Sequence, residues 1–264
     1  MDFTDIEARG VVLLGCGKMG GAMLAGWLDR GLSPGAVHVI DPKPSDWLRN
    51  TGVHLDGGLP DSPAITLIAV KPQMMGDALP ALQDLDDTLY VSIAAGTTIG
   101  AFEAVFGAEA RIVRAMPNTP AAISQGITAI VGNDAATADD LDLADLFLSA
   151  VGEVVRLNDE SEMDAVTGLS GSGPAYVFHM IEAMTAAGEA QGLAPELALR
   201  LARATVAGAG ALAMSGEDPE QLRKNVTSPN GTTQAGLEVL MEELQDLMAR
   251  TVAAAADRSR ELRG

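Results

Sequence analysis

The feature that most narrows the fold of this 264-residue chain is a series of short, continuously apolar runs in its first half, each followed by a stretch with helical spacing. Gly10 to Leu14 is the first run, and Ala36 to Ile40, Ile65 to Val70, Thr88 to Ile93, Arg111 to Met116 and Ile127 to Val131 repeat it. Between them, helices are predicted through Arg30 and over Met74 to Gln83, Ile99 to Phe106 and Thr137 to Ser149. A strand covered on one face alternates apolar and polar residues. These runs do not, so they read as strands buried on both faces of a doubly wound, mainly parallel sheet, an α/β architecture.

The first strand leads into Gly15-x-Gly17-x-x-Gly20, which opens a helix. Twenty-nine glycines produce such spacings by chance, but the position between strand and helix gives each one a task. The first permits the tight turn, the second lets backbone approach a pyrophosphate, and the third allows helix to pack closely on strand. The segment Gly15, Cys16, Gly17, Lys18, Met19 and Gly20 is therefore the candidate dinucleotide loop of a Rossmann-type domain. Asp41 follows the second strand, where an acid accepts the ribose 2′-hydroxyl of NAD; Lys43, two residues on, is a cation suited to the 2′-phosphate of NADP. Both coenzymes stay open, and Asp41 also reads as a loop acid or helix cap.

Ligands of open parallel sheets lie beyond the carboxyl ends of the strands. Val70, Lys71, Pro72 and Gln73 after the third strand, Ala94, Ala95 and Gly96 after the fourth, and Met116, Pro117 and Asn118 after the fifth are thus expected around the nicotinamide and substrate side of the cleft. Proline and glycine also simply punctuate element ends.

From about Glu160 the strand-like runs stop and Ala, Leu, Met and Gly dominate. Pro174 to Gln191 and Pro195 to Met214 read as long helices, with Gly192 and Gly216 as stop signals. Small residues at close spacing, such as Ala204, Gly208 and Ala211, permit close helix approach. These helices have too little partner surface in one chain, so an all-α C-terminal dimerisation domain is expected to interleave with a second copy. The division is placed at 1–157 and 158–264. Val166 to Tyr176, rich in Ser and Gly, suits an N-cap and a tight crossing, and His179 among apolar neighbours reads as a packed residue.

The late tract Asn225 to Gln234 is unlike its helical surroundings: four hydroxyls, one Pro and one Gly. Asn230-Gly231 demands a turn, and Thr232 to Gln234 then open a helix whose first N–H groups lack helical partners. Such a place takes a small carboxylate. The remaining chemistry is sparse. A net charge of −19 opposes nucleic acid and acidic membranes as partners, and 3% aromatic residues leave few stacking platforms. One Cys and three scattered His form no metal-ligand spacing. The apolar stretch Val11 to Leu28 is interrupted by glycines and Lys18 and preceded by acidic residues, which argues for a cytoplasmic location rather than a signal peptide or span. Hydroxyls, amides and helix-start N–H groups suit hydride transfer, in which the coenzyme performs the difficult chemistry.

Six segments in order resemble one family: Gly15-x-Gly17-x-Met19, Ala69 to Gln73, Ser92 to Gly96, Arg114 to Pro120, Val166 to Pro174 and Val226 to Thr233. Together they look like pyrroline-5-carboxylate reductase from about Gly10 to Arg260. The resemblance implies NAD(P)H-dependent reduction of the cyclic imine Δ1-pyrroline-5-carboxylate to L-proline, the last step of proline biosynthesis, in a homodimer or a ring of dimers such as a decamer. It implies that Ser228, Gly231, Thr232 and Thr233, supplied by the partner subunit, hold the substrate carboxylate, with Thr233 donating to the ring nitrogen. It places Glu160 and Met116 near the substrate, and Asn118 and Asn225 near the nicotinamide. The family commonly has Gly-Gly where this chain has Asn230-Gly231, and Asn tolerates the left-handed backbone such a turn needs. The rival enzyme reading is a β-hydroxyacid dehydrogenase or another imine reductase. Those hydroxyacid enzymes carry a catalytic Lys early in their second domain, and this chain has no Lys between Lys71 and Lys224. A non-catalytic coenzyme sensor would have no use for the carboxylate turn.

Overall fold

The computed structural model describes residues 3–55 and 57–263. They form two compact units, one through Gly171 together with the residues from Ala255 on, the other Ser172–Ala254. In the first unit, helix α1 (Thr4–Arg9) precedes strand β1 (Val11–Leu14), helix α2 (Lys18–Asp29), strand β2 (Val37–Ile40), a single turn α3 (Asp46–Arg49) and the two-residue strand β3 (His54–Leu55). The chain then enters β4 (Ile65–Ile68), the short turn α4 (Met75–Ala78), β5 (Leu89–Ser92), α5 (Ile99–Phe106), β6 (Arg111–Met116), β7 (Gly126–Gly132), α6 (Ala138–Leu148), β8 (Gly152–Arg156) and α7 (Met163–Val166). One sheet holds all eight strands in the order β3-β2-β1-β4-β5-β6-β7-β8. Every pairing is parallel except β6 with β7, which is antiparallel.

The two-sided burial expected of the apolar runs is present in residue-by-residue alternation. Val11, Leu13, Val37, Val39, Ile65 and Leu67 face one core with Met23, Leu24 and Trp27 of α2 and Phe147 of α6. Val12, Leu14, Ile68, Tyr90 and Ile112 face the other, with Met75, Leu82, Ile99 and Phe102. On the first face Trp27 stacks on Phe147 at 3.9 Å between ring centroids and donates its indole N–H to the Phe147 carbonyl at 3.0 Å, so a large side chain is buried with its one polar atom satisfied. Thr137 caps α6 through a reciprocal pair with Asp140, which also takes the Arg111 guanidinium at 2.9 Å.

Some elements differ from the sequence expectation. The helix expected over Met74 to Gln83 is broken into single turns, Pro72–Met74, Met75–Ala78 and Leu79–Leu82, because Pro80 cannot donate within a continuing helix. Strand β8 was not anticipated, since Glu153 and Arg156 interrupt its apolar character. Ser172 makes no side-chain cap ahead of the next helix; instead Thr167–Gly171 is a π-helical turn.

In the second unit α8 (Gly173–Ala190) packs against α9 (Pro195–Ala213), and a Cβ at Gly188 would sit 3.3 Å from Ala198 Cβ. Gly192 and Gly216 follow these helices at φ +91 and +89, as their stop-signal role requires. Helix α10 (Pro219–Asn225) is capped by Asp218, and α11 (Thr232–Glu261) is a single 30-residue helix whose last turns belong to the first unit. There Ser259 donates to the buried Asp164 at 2.8 Å and Arg263 Nε does so at 3.1 Å. The side chain of His179 is 82% exposed and pairs with Glu182, so it is not the packed residue its neighbours suggested. No helix among the described residues is long and apolar enough to cross a membrane.

At the sheet edge His38 of β2 and His54 of β3 stack at 4.5 Å, each donating one ring N–H to a backbone carbonyl, of Gly58 and Gly35 respectively. Burial first, and then the neighbouring His54, lower the His38 pKa, partly offset by the Gly58 bond. The folded state therefore binds a proton less readily than the unfolded chain, and His38 lowers stability as pH falls below the ordinary histidine value of about 6.5. Thermal denaturation followed by circular dichroism between pH 8 and pH 5 is expected to show a shallower loss of Tm for His38→Phe, which keeps a ring in the stack, than for the unsubstituted protein. Equal slopes would remove His38 from the pH response.

Candidate coenzyme and substrate site

Strand order reverses between β1 and β4: the chain proceeds outward through β2 and β3 on one side and through β5 and β6 on the other. The crevice at such a switch point is the ligand-binding position of an open α/β sheet. The carboxyl ends of the strands there are in register, with Gly15 N–H bonding to Ile40 O at 2.9 Å, Ala69 N–H to Leu14 O at 2.8 Å and Ile93 N–H to Ile68 O at 3.0 Å. Loop residues after β1, β2, β4 and β5 are thereby brought to one edge.

The three glycines meet three different surroundings. Gly15 has φ +87, and a Cβ there would lie 2.8 Å from Val70 Cγ1 and 3.2 Å from Ala69 O. A Cβ on Gly20 would lie 2.3 Å from the Gly15 carbonyl oxygen, closer than any side chain permits. Around Gly17 nothing lies within 4 Å of such an atom. Two positions are thus closed by the protein itself and the middle one opens outward, at the start of α2, where unpaired N–H groups and the helix dipole favour an anion. These residues fit a dinucleotide pyrophosphate. Lys18 is exposed beside the opening and Met19 packs inward on the first core.

Asp41 sits directly after β2 and braces this loop. Its Oδ2 accepts the Cys16 N–H at 2.8 Å and its Oδ1 accepts the Lys43 N–H at 2.8 Å. Burial, and then the Asp41 charge, push the Cys16 thiol up to about 11, so it is an unreactive thiol at neutral pH. Lys43 is exposed. After β4, Val70 lies against Gly15, while Lys71 precedes the single turn begun by Pro72 and Gln73. After β5, Ala94 is buried, Ala95 is exposed, and Gly96 adopts φ +79, with the Leu262 carbonyl 3.3 Å from its absent Cβ. The chain's last residues thus pack on the loop expected to face the nicotinamide.

After β6 the side chains are committed to local structure. Asn118 accepts the Ile127 N–H at 3.0 Å and donates to the Ser170 carbonyl at 3.3 Å, tying the β6 end to the π-helical turn. Met116 Cε lies 2.6 Å from where a Gly171 Cβ would be, so the end of the Met116 side chain rests against this glycine. Glu160 Oε1 accepts from the Arg114 guanidinium at 2.6 Å and from the Ile99 N–H at the start of α5 at 2.9 Å. Arg114 is 3% exposed, and although it opens one of the six family segments, the sequence assigned it no site role. A guanidinium flanked by Val113 and Ala115 within the strand was the available signal, since a charge that deeply buried requires a partner.

In the second unit the late polar tract forms a turn between α10 and α11. Asn230, not Gly231, takes the left-handed backbone, at φ +59, and its N–H bonds to Gln234 Oε1 at 2.8 Å. The Gly231 N–H returns to Ser228 O at 3.0 Å. Ser228, Thr232 and Thr233 are exposed, and the N–H groups of Thr232, Thr233 and Gln234 precede the first intrahelical acceptor. Asn225 is clamped on both sides, donating to Glu217 at 2.7 Å and accepting from Gln221 at 2.7 Å. Glu217 is a further residue that the sequence reading passed over. Among the described residues no group of three or more His, Cys, Asp or Glu is placed to hold a metal ion.

Comparison with known proteins joins the two units in one family. Residues 160–262 match the family model for pyrroline-5-carboxylate reductase dimerisation, and residues 10–96 match that for coenzyme F420-dependent NADP oxidoreductase. The pyrroline-5-carboxylate reductase of Pseudomonas aeruginosa is 37% identical over 262 residues, covering 96% of each chain. The reductase structure from Coxiella burnetii superposes with a TM-score of 0.91 at 32% identity over 97% of this chain and 99% of that one. That of Plasmodium falciparum, with NADP bound, superposes with a TM-score of 0.85 at 28% identity over 98% and 100%. The chain therefore belongs to the pyrroline-5-carboxylate reductase family, and it is an NAD(P)H-dependent oxidoreductase that reduces Δ1-pyrroline-5-carboxylate to L-proline.

Proposed function

We propose that the coenzyme lies across the Gly15–Gly20 loop of one copy of the chain and that the substrate is held by the Ser228–Thr233 turn of a second copy. The observation that carries this reading is the start of α11, where two exposed threonines and an exposed serine stand beside helix-start N–H groups. A small carboxylate fits that inventory. The exposed apolar side chains of the second unit, among them Phe178 at 59% and Leu240 at 50%, support burial against another subunit. A closed dimer, or a ring of dimers, in the cytoplasm is the assembly proposed.

Bound NAD(P)H supplies the hydride that turns the imine C=N into CH–NH. Ser228 Oγ, Thr232 Oγ1 and the N–H groups from Thr232 onward, with Gly231 shaping the turn, hold the carboxylate and fix which ring face is presented. Thr233 Oγ1–H donates to the ring nitrogen. A threonine hydroxyl is a weak acid, so its main work is orientation, with the proton relayed from water through the same hydroxyl. Lys71, Pro72, Gln73, Ala94, Ala95 and Gly96 line the coenzyme's nicotinamide half, with Asn118 shaping the loop behind them. Asn225 fixes the approach to the substrate turn through its clamp on Glu217. Glu160 enters the proposal as a positioning residue that holds Arg114 and the first turn of α5, next to Met116.

A spectrophotometric assay with pyrroline-5-carboxylate and NADH or NADPH is expected to show coenzyme oxidation; no oxidation with either would refute the reading. Thr233→Ala is expected to lower kcat/KM by about 10- to 100-fold without a change in Tm, since one hydrogen bond made in the transition state is lost; full retention of rate and affinity would remove Thr233 from the mechanism. Glu160→Gln leaves a buried guanidinium without its counter-charge and is expected to destabilise the first unit by about 3 kcal/mol in denaturant unfolding. A loss of activity with unchanged stability would instead mark Glu160 as a substrate contact.

A further inference from the structure

We infer that Asp41 makes this chain selective for NADH over NADPH. The inference rests on the coenzyme site proposed above and concerns only which coenzyme that site prefers. In a dinucleotide fold the adenosine ribose lies at the end of the second strand, and the two coenzymes differ solely by a phosphate on its 2′-oxygen. Asp41 is the first residue after β2, so its carboxylate stands at that place. The geometry decides what the carboxylate does there. Both oxygens are fixed by backbone donors, Oδ2 by the Cys16 N–H and Oδ1 by the Lys43 N–H, each at 2.8 Å. Two backbone donors hold it in a single orientation.

This arrangement works against a 2′-phosphate in two ways. The fixed negative charge repels a phosphate dianion, and the two N–H groups that would have received its oxygens are already satisfied by the protein's own anion. The neutral 2′-hydroxyl of NADH meets neither obstacle, because a carboxylate oxygen holding one N–H retains lone-pair capacity for an O–H donor. The surroundings offer little compensation. Residues 41–49 set two cations, Lys43 and Arg49, against Asp41 and Asp46, so the segment carries no net positive charge for a 2′-phosphate. Lys43 is exposed, where solvent screening weakens its pull.

The test separates coenzyme choice from the reductase reading by measuring binding as well as turnover. Dissociation constants for NADH and NADPH are obtained from the fluorescence of the reduced nicotinamide without substrate, alongside kcat/KM for each with pyrroline-5-carboxylate, for the unsubstituted protein, Asp41→Ser and Asp41→Asn. The unsubstituted protein is expected to bind NADH at least about tenfold more tightly than NADPH, with the same ordering in kcat/KM. Asp41→Ser removes the charge and frees both donors, and is expected to shift the NADPH-to-NADH ratio by tenfold or more toward NADPH. Asp41→Asn, which keeps the volume and one acceptor, is expected to shift it in the same direction by less. A merely structural brace would weaken both coenzymes together and leave the ratio unchanged, and that outcome overturns the inference, as does tighter NADPH binding by the unsubstituted protein. Absence of turnover with both coenzymes would sink the reductase reading, while the binding ratio still decides the role of Asp41.

Discussion

The first unit depends on a contact at which backbone touches backbone. The Gly20 Cα approaches the Gly15 carbonyl so closely that a methyl group there would lie 2.3 Å from the oxygen, and Gly15 is itself wedged against Ala69 and Val70 with a left-handed φ. These contacts draw α2 down onto the sheet at the reversal of strand order. They also leave the helix start pointing into open space at Gly17. A side chain at either closed position would lift α2 and displace Trp27 and Phe147 on that face of the sheet, so the coenzyme cradle and the core share one steric condition. Asp41 adds an electrostatic brace to the same turn, which joins the shape of the loop to the charge at its edge.

Much of this was readable from residue order. The apolar runs located six of the eight strands because they are buried on both faces, and their helical partners followed from spacing. The glycine trio was readable because each member has a separate steric reason to lack a side chain. Asn230 was readable as the residue able to accept a positive φ, and the stops at Gly192 and Gly216 follow the same principle. What escaped has physical causes too. β3 is two residues long and β8 carries Glu153 and Arg156, so neither leaves an apolar trace. Pro80 divides a segment whose periodicity alone suggested one helix. The pairing of Arg114 with Glu160 crosses 46 residues of sequence, and local spacing contains no record of it. The fold was therefore more legible than the site, whose side chains are positioned by contacts distant in sequence.

Composition and compactness divide the chain differently. Strand-like runs cease near residue 157, yet the chain through Gly171 remains with the sheet, held by Glu160 on Arg114 and by Asn118 on Ser170. Ser259 and Arg263 return to the same unit on Asp164. Helix α11 thus begins with the hydroxyl-rich turn and ends anchored beside the sheet. Its end also brings Leu262 onto Gly96, so the last residues of the chain help shape a loop of the coenzyme cleft.

The central claim, that the glycine loop of one copy works with Thr233 of another, is open to a mixed-subunit experiment. Gly17→Leu puts a side chain into the open space of the cradle, where its Cβ meets no protein atom within 4 Å, and Thr233→Ala removes the donor, so each variant alone should be nearly inactive. Differently tagged chains co-expressed and purified as mixed dimers would contain one site with both defects and one with neither. Sharing between copies predicts about half of the unsubstituted activity in that mixture. Activity no higher than the average of the two variants would mean that both groups act within a single chain, and would contradict the account.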